Sequence, residues 1–473
     1  MIVILAGSIA FAFQGSRGIY ERTEGRYAEC ARQSRQAGDL DDPVLNGEYH
    51  WSKPPLIYYC IAGGIKLFGN NAWGARIHLS LAFLITILAL YYLGLQLWGR
   101  DAAPFCALIY ATAPFTIIAS SVLTTDTLLV MWQTLSILFF WLAVRRKRKI
   151  FIVLMWFCFG LAHLTKGPPA LMPLCGIIPT YFLLKQQHHD IPSVFSLFGI
   201  ATFITVGLGW YISEVLEAEH PGLLQYWVRE EILGRNVGGD SHRNPQLKRA
   251  FQIYLPILVF GTGQWIIFLF LKRKDMRWTA EGWLRRAGKE NRIEWSYLAL
   301  SFFIPLIIFS LSKSKLPLYV LPLFVPLSLA MGKAITRLIS DGKVGIRTVL
   351  AIACCATLLF ISIKACSAHV NCKHNMAVLA RNIKPIIKSY PNHKLYHTWR
   401  HSLNGLQFYI DELIPEISLA ELDSVLNKDR IAGTVPIVIT RTRPLKEMEK
   451  TIDPEIFEIL MLDKYWSLII PRI

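Results

Sequence analysis

Apolar runs of about 20 residues recur along this chain, separated by short basic loops, and that alternation leaves few folds open. A helix of about 20 residues is what crosses a hydrocarbon core. Within lipid, backbone polar groups must be satisfied inside the segment or in a closed barrel. The runs near 2–14, 76–98, 102–120, 126–144, 150–165, 168–184, 194–213, 251–271, 295–311, 316–332 and 346–364 read as eleven membrane helices. Of the 473 residues 53% are hydrophobic, which a soluble domain rarely combines with runs this long. Residues 1–365 are therefore expected to form an all-α polytopic membrane domain of about eleven spans.

The loops alternate in kind. One set carries Arg100; then Arg145, Arg146, Lys147, Arg148 and Lys149; then Lys185; then the cluster from Lys272 to Arg292; then Lys333, Arg337, Lys343 and Arg347. The positive-inside rule places these in the cytoplasm. Residues 15–69, 121–125, 165–167, 214–250, 312–315 and everything after 365 then face outward, and the chain runs N-in to C-out. The net charge of +17 sets this orientation. Nucleic acid is not an expected partner, because no basic, aromatic-interleaved soluble module is present. The first run is short, about 20 Å of helix against a core of about 30 Å. It lacks the basic start of a signal peptide, and a start codon further upstream is the alternative.

Residues 366–473 change character. Strand-like KLYHTW (394–399), VPIVIT (435–440) and YWSLIIP (465–471) alternate with helical AVLARNIKPIIKSY (377–390) and SLAELDSVLNKD (418–429). Such alternation predicts a small α/β domain, on the outward face. No Gly-rich phosphate fingerprint opens its helices, so a cap or partner-binding role is preferred over a catalytic one. The nine cysteines show no CxxC pair or zinc spacing. Cys366 and Cys372 follow the last span and are candidates for a disulfide if that side is oxidising.

Every candidate motif falls on the outward set. In Tyr20–Glu29, helical spacing places Glu21, Glu24 and Ala28 on one side and Arg22, Arg26 and Glu29 on another. A helix there at the interface offers a headgroup both a carboxylate and a guanidinium; an amphipathic helix with solvated ion pairs explains the same pattern. Residues 15–75 thus form a first outer loop expected to carry interfacial helices. In Trp51-Ser52-Lys53-Pro54-Pro55-Leu56 the prolines exclude a regular helix, leaving Lys53 as a held cation suited to phosphate or snorkelling to headgroups. Asp126, after Thr124 and Thr125, sits at the mouth of a span, where an aspartate is costly unless paired; helix capping by Thr125 or Asp126 is the simpler reading. Lys166 in TKGPP, Arg229 to Arg243 in REEILGRNVGGDSHR, and Lys313, Lys315 and Tyr319 in SKSKLPLY add cations to the same face.

Taken in order, these segments resemble the bacterial polytopic glycosyltransferases of the lipid A aminoarabinose transferase family, related to protein O-mannosyltransferases. The carriers are Glu24-Gly25-Arg26-Tyr27-Ala28-Glu29, Lys53-Pro54-Pro55-Leu56, Thr124-Thr125-Asp126, Leu164-Thr165-Lys166-Gly167-Pro168 and Ser312-Lys313-Ser314-Lys315-Leu316-Pro317-Leu318-Tyr319. Each is weak alone, and five in order over residues 15–330 are specific. The resemblance implies a GT-C fold and a polyprenyl-phosphate-linked sugar donor. By matching positions, Lys53, Arg235 and Arg26 would bind the donor phosphate and Glu24 and Asp126 would be catalytic carboxylates. Thr23, Tyr27, Lys313, Lys315 and Tyr319 would line the site. One departure is Thr23, which stands where the family commonly has aspartate and cannot act as a carboxylate base.

The expected function is that of an inverting glycosyltransferase of a bacterial inner membrane. It would pass the sugar to an outer-leaflet or periplasmic acceptor such as lipid A or another envelope glycan. No metal or cofactor is demanded, since lysine and arginine can neutralise the leaving phosphate. The alternatives are a lipid-linked sugar flippase, with no chemistry, and an inactive relative.

Overall fold

The computed structural model describes residues 2–216, 225, 229, 244–268, 291–399, 401–442 and 456–472. The described chain divides into two compact units. One comprises Met1–Ala12, Trp51–Ile57 and His78–Ile363; the other comprises Phe13–His50, Tyr58–Ile77 and Lys364–Ile473.

The first unit is a helical bundle. Across the described chain, six helices are long and apolar enough to cross a membrane: Ala72–Trp98, Asp126–Arg146, Leu197–Leu216, Arg292–Leu311, Pro317–Ser340 and Ile346–Ser367. A seventh span arises if Ala103–Thr112 and Pro114–Ser121 are one helix bent by 58°. The break has a local cause: Pro114 has no N–H, and Ala113 before it is extended at ψ 130°. Prolines likewise shorten other runs read from the sequence. The run at 168–184 opens with a 3-10 turn over Pro168–Leu171 before the helix Leu174–Gln187. The run at 316–332 opens with a 3-10 segment over Pro317–Leu323. Ile2–Phe11 and Ile150–Lys166 are shorter apolar helices.

Burial separates the spans. Asp126–Arg146 is 78% buried, whereas Leu197–Leu216 and Ile346–Ser367 are 22% and 28% buried. The first is therefore a core helix, and the other two present apolar side chains outward, including Leu197, Phe198 and Leu358. That pattern suits lipid, where an outward leucine costs nothing and the interior is fixed by packing. The core itself is aromatic: Trp141 meets Tyr297 edge-on at 5.4 Å, and Phe83, Tyr110, Phe140 and Phe159 are buried with them.

The second unit contains a small hairpin, β1 (Val44–Leu45) with β2 (Glu48–Tyr49), and a four-stranded sheet. Its strands are β3 (His393–His397), β4 (Val435–Arg441), β5 (Phe457–Met461) and β6 (Trp466–Pro471), in the order β3-β4-β6-β5. β3 is parallel to β4, and the remaining pairs are antiparallel. Helices Met376–Ser389, Asn404–Ile410 and Leu422–Ile431 accompany it. β5 and the helix Asn404–Ile410 are additions to the sequence reading. Cys366 and Cys372 are free thiols.

The first-loop helix Thr23–Ala37 belongs to this unit and is largely buried, with Glu24, Tyr27, Ala28, Glu29 and Arg32 inside. It starts at Thr23 rather than at Tyr20, so Glu21 lies before it. The solvated amphipathic alternative is thereby replaced by a buried helix. Gly25 shows why: a Cβ there would lie 2.5 Å from the Gly405 backbone nitrogen. Glycine at this point lets the helix approach the 404–410 segment closely.

Candidate functional site

Two charged clusters stand out, one in each unit. In the unit of the first loop, Glu24 is held by two arginines. Its carboxylate accepts from Arg17 Nη1 at 2.9 Å and Nη2 at 2.8 Å, from Arg76 Nη2 at 2.9 Å, and from the Tyr20 backbone N–H at 3.0 Å. Arg76 is wholly buried and also donates to the carbonyls of Arg17 at 2.6 Å and Gly18 at 3.0 Å. A buried arginine is tolerated when its fork meets carboxylate and carbonyl oxygens, and here both Nη atoms do, while the buried Nε makes no hydrogen bond among the described residues. Arg17 also lies 4.2 Å over the Tyr20 ring.

Further along the same helix, Arg26 lies 5.6 Å from the Tyr27 ring centroid, and Tyr27 packs 6.1 Å from Tyr58. The Arg26 Nε is buried without a hydrogen bond. Thr23 is exposed at the first turn. Glu29 pairs with Arg32 at 2.6 Å, and Arg32 reaches Asp411. Glu21 accepts from the Gly405 N–H at 2.7 Å. Burial pushes its carboxyl from the ordinary 4.5 up to about 8, against the opposing pull of the backbone N–H groups of Gly405, Asn404 and Leu406; the nearby Glu29 charge adds to the rise.

In the membrane unit, Asp126 opens the helix Asp126–Arg146 and accepts from Lys166 Nζ. The position preceding the helix is Thr125, whose side chain makes no capping bond. The capping alternative is therefore corrected: an ion pair holds this aspartate. Lys166 ends the helix Ile150–Lys166, and its ammonium lies 4.9 Å from the Tyr319 ring centroid. Gly167 follows at φ 76°, ψ −145°, a backbone open to glycine, and turns the chain sharply into Pro168. Both partners of the pair are about one-tenth exposed, so the charge is shielded but reachable.

The remaining candidates sort by what they touch. Lys53 is buried just before Pro54, and its ammonium donates to the Ser52 carbonyl; the helix Leu56–Phe68 begins after Pro55. Lys315 is nearly inaccessible and donates to the carbonyls of Pro245, at 3.1 Å, and Ser312. It staples the 312–316 loop. Lys313 is half-buried. Arg235 lies outside the described residues. The structure thus brings together Asp126, Lys166 and Tyr319 in one unit, and Glu24, Arg26 and Tyr27 on one helix of the other.

Arg17, Arg76 and the pairing of Lys166 with Asp126 were not assigned from the sequence. A usable signal was present: Arg76 opens an apolar run, where an unpaired charge is expensive.

The fold that carries these clusters is that of the GT-C glycosyltransferases. The chain superposes on the crystal structure of ArnT from Cupriavidus metallidurans bound to undecaprenyl phosphate with a TM-score of 0.75 and 18% identity, over 99% of this chain and 97% of that one. An Archaeoglobus fulgidus oligosaccharyltransferase in the apo form aligns with a TM-score of 0.53 and 11% identity, over 97% of this chain and 72% of that one. Residues 52–210 match the family model described as dolichyl-phosphate-mannose-protein mannosyltransferase. In sequence, the chain resembles the undecaprenyl phosphate-alpha-4-amino-4-deoxy-L-arabinose arabinosyl transferase of Pseudomonas aeruginosa strain UCBPP-PA14, at 29% identity over 350 residues. That match covers 72% of this chain and 60% of the relative. The corresponding enzyme 1 of Pseudomonas fluorescens is 26% identical with the same coverage. The chain spans about 60% of the length of these curated relatives.

Proposed function

We propose that this protein is an inverting glycosyltransferase of a bacterial inner membrane, using a sugar linked to a polyprenyl phosphate. The observation that carries this reading is the shielded Asp126–Lys166 pair beside Tyr319, on a fold shared with a transferase crystallised with undecaprenyl phosphate. A flippase needs cations for a lipid phosphate but has no use for a buried carboxylate with one oxygen engaged.

On this reading an acceptor oxygen attacks the anomeric carbon, that carbon's bond to the phosphate oxygen breaks, and polyprenyl phosphate leaves. Negative charge grows on the leaving phosphate, and preorganised cations supply the main stabilisation. Lys53, Arg235 and Arg26 are the proposed phosphate contacts, with Lys313 and Lys315 adding positive potential and Tyr27, Tyr319 and Thr23 lining the sugar. Asp126 is the carboxylate placed to take the acceptor proton. Glu24, with both oxygens already engaged by arginine, contributes by fixing the loop that carries Arg26. Residues 1–365 form the membrane portion, of about eleven spans, and 366–473 an α/β domain. The site and this domain face the periplasm, where lipid A or another envelope glycan offers the acceptor.

The test uses the purified full chain with undecaprenyl-phosphate aminoarabinose and a lipid A acceptor. Transfer is expected, and Lys53→Ala and Arg235→Ala are each expected to reduce it severely while the protein stays folded. Loss of one charge-assisted phosphate contact costs about 1.5–3 kcal/mol, and more if the contact tightens as the phosphate leaves. Turnover unchanged in both variants would show that these cations only meet headgroups.

A further inference from the structure

One end of the four-stranded sheet holds a cluster that the transfer chemistry above does not use. Arg441 closes β4 and is paired in register with Trp466, the first residue of β6. β3 runs parallel to β4, and the Thr398 N–H continues the ladder to the Ile439 carbonyl at 3.2 Å. That brings Trp399 to the same end. The Arg441 guanidinium lies 4.2 Å from the Trp466 ring centroid and 4.6 Å from that of Trp399. The two indoles meet edge-on, 5.6 Å apart. His401 lies edge-on to Trp399 at 5.5 Å, and His374 is tilted against it at 6.4 Å. Trp466 is buried, Trp399, Arg441 and His374 are half-buried, and His401 is exposed.

Two features set this cluster apart from a packing motif. The Arg441 guanidinium lies over both indoles, and among the described residues its side-chain N–H groups make no hydrogen bond or ion pair. Asp463, whose charge acts on Arg441, already accepts from the backbone N–H groups of Tyr465 and Trp466. Independently, the buried Nδ1 of His374 has no hydrogen-bond partner. The charges of Lys373, Arg441 and Arg22 all act on that imidazole. The neighbourhood is therefore cationic, with Arg441 N–H groups and a His374 ring nitrogen uncommitted beside a half-open indole. It also lies past the carboxyl ends of two parallel strands, where open sheets with helices commonly bind ligands.

We propose that this end of the sheet binds a phosphorylated sugar. The Trp399 ring would cover the apolar C–H face of the pyranose, while the Arg441 edge, with its fork geometry for phosphate, and His374 take the phosphate oxygens. A neutral sugar uses the indole but not the cations; a bare phosphate uses the cations but not the indole. Only a ring bearing a phosphate uses both. The ligand's biological identity rests on the transferase reading, under which it is the phosphorylated sugar of the acceptor.

The experiment titrates the full chain in detergent micelles with glucose 1-phosphate, with glucose and inorganic phosphate as controls, by isothermal calorimetry. Glucose 1-phosphate is expected to bind at least about ten-fold tighter than either control, the size of one charge-assisted contact. Arg441→Gln and Trp399→Leu should each weaken it by a similar factor, and His374→Gln by less. Should Arg441→Gln fail to fold, the other two variants carry the test. Affinity unchanged in the folded variants, or binding abolished by undecaprenyl phosphate, would overturn the assignment. Sugar transfer is measured separately: normal transfer with insensitive probe binding removes this site alone. Variant-sensitive binding in a parent that transfers nothing removes the transferase reading and leaves the site.

Discussion

Glu24 and Asp126 are both buried carboxylates, yet their surroundings differ in kind. Among the described residues, Glu24 accepts at least four hydrogen bonds, from two arginines and a backbone N–H. Asp126 accepts one, from Lys166, at the first position of a helix whose dipole also favours an anion; its second oxygen makes no hydrogen bond among the described residues. A carboxylate whose lone pairs are filled by fixed cations is an anchor, because protonating it would break each of those bonds. A carboxylate with one open oxygen can still accept a proton from an acceptor. On the proposed reading, the number of committed donors, more than burial, separates a structural acid from a chemical one.

The largest expected effect tests the anchor. Arg76→Ala leaves Glu24 buried with half its compensation gone. Removing one partner of a buried pair costs about 3–5 kcal/mol, so the unfolding temperature in micelles should fall steeply. Near-parental stability would mean that Arg17 alone suffices and that the contrast is overstated.

The second test asks for opposite behaviour from the two acids. Asp126→Asn should keep the fold and lower transfer to a hydroxyl acceptor by about 10²–10⁴-fold, the scale of general-base help, with an altered pH profile. Glu24→Gln should instead lower stability and leave the shape of the profile intact. The contrast would be broken by a profile that changes in Glu24→Gln and not in Asp126→Asn.

Much of this was legible in the sequence, and the limits have physical causes. The core span Asp126–Arg146 and the more outward-facing Arg292–Leu311 could be read because apolar runs of this length can do little else. Proline-interrupted runs were read as single spans, since hydropathy is blind to the missing N–H that bends Ala103–Ser121. The motif residues Glu24 and Asp126 were visible, but their partners were not. Those are Arg76, 52 residues from Glu24, and Lys166, 40 residues from Asp126. No local spacing rule reports a pairing at that distance. The β5 strand escaped because its exposed Glu458, Leu460 and Met461 blur the alternation of an edge strand.

A smaller effect concerns Thr23. It is exposed in the first turn of its helix, so Thr23→Asp should fold well and gain about 0.3–1 kcal/mol from the helix dipole. If the acceptor is a hydroxyl, the added carboxylate should raise transfer. If it is a phosphate, repulsion between anions should leave the rate unchanged or lower it. Loss of stability in this variant would contradict the exposed placement.

The last test concerns the other acid of the first loop, which fits neither category. Glu21 has one oxygen on the Gly405 N–H and the other buried without a partner. Burial raises its carboxyl from 4.5 to about 8, so the folded protein holds this proton more tightly than the unfolded chain. The stability that follows is fully present below about pH 4.5 and is lost as the pH climbs to about 8, where the ionised carboxylate sits desolvated beside Glu29. Glutamine keeps the acceptor oxygen and cannot ionise. Glu21→Gln should therefore match the parent in unfolding temperature at pH 5 and exceed it by a few degrees at pH 9. A gain of equal size at both values would trace the change to packing against Gly25 rather than to charge. Glu21 would then join Glu24 as a structural acid, and the distinction drawn from donor counts would have to explain a carboxylate with only one.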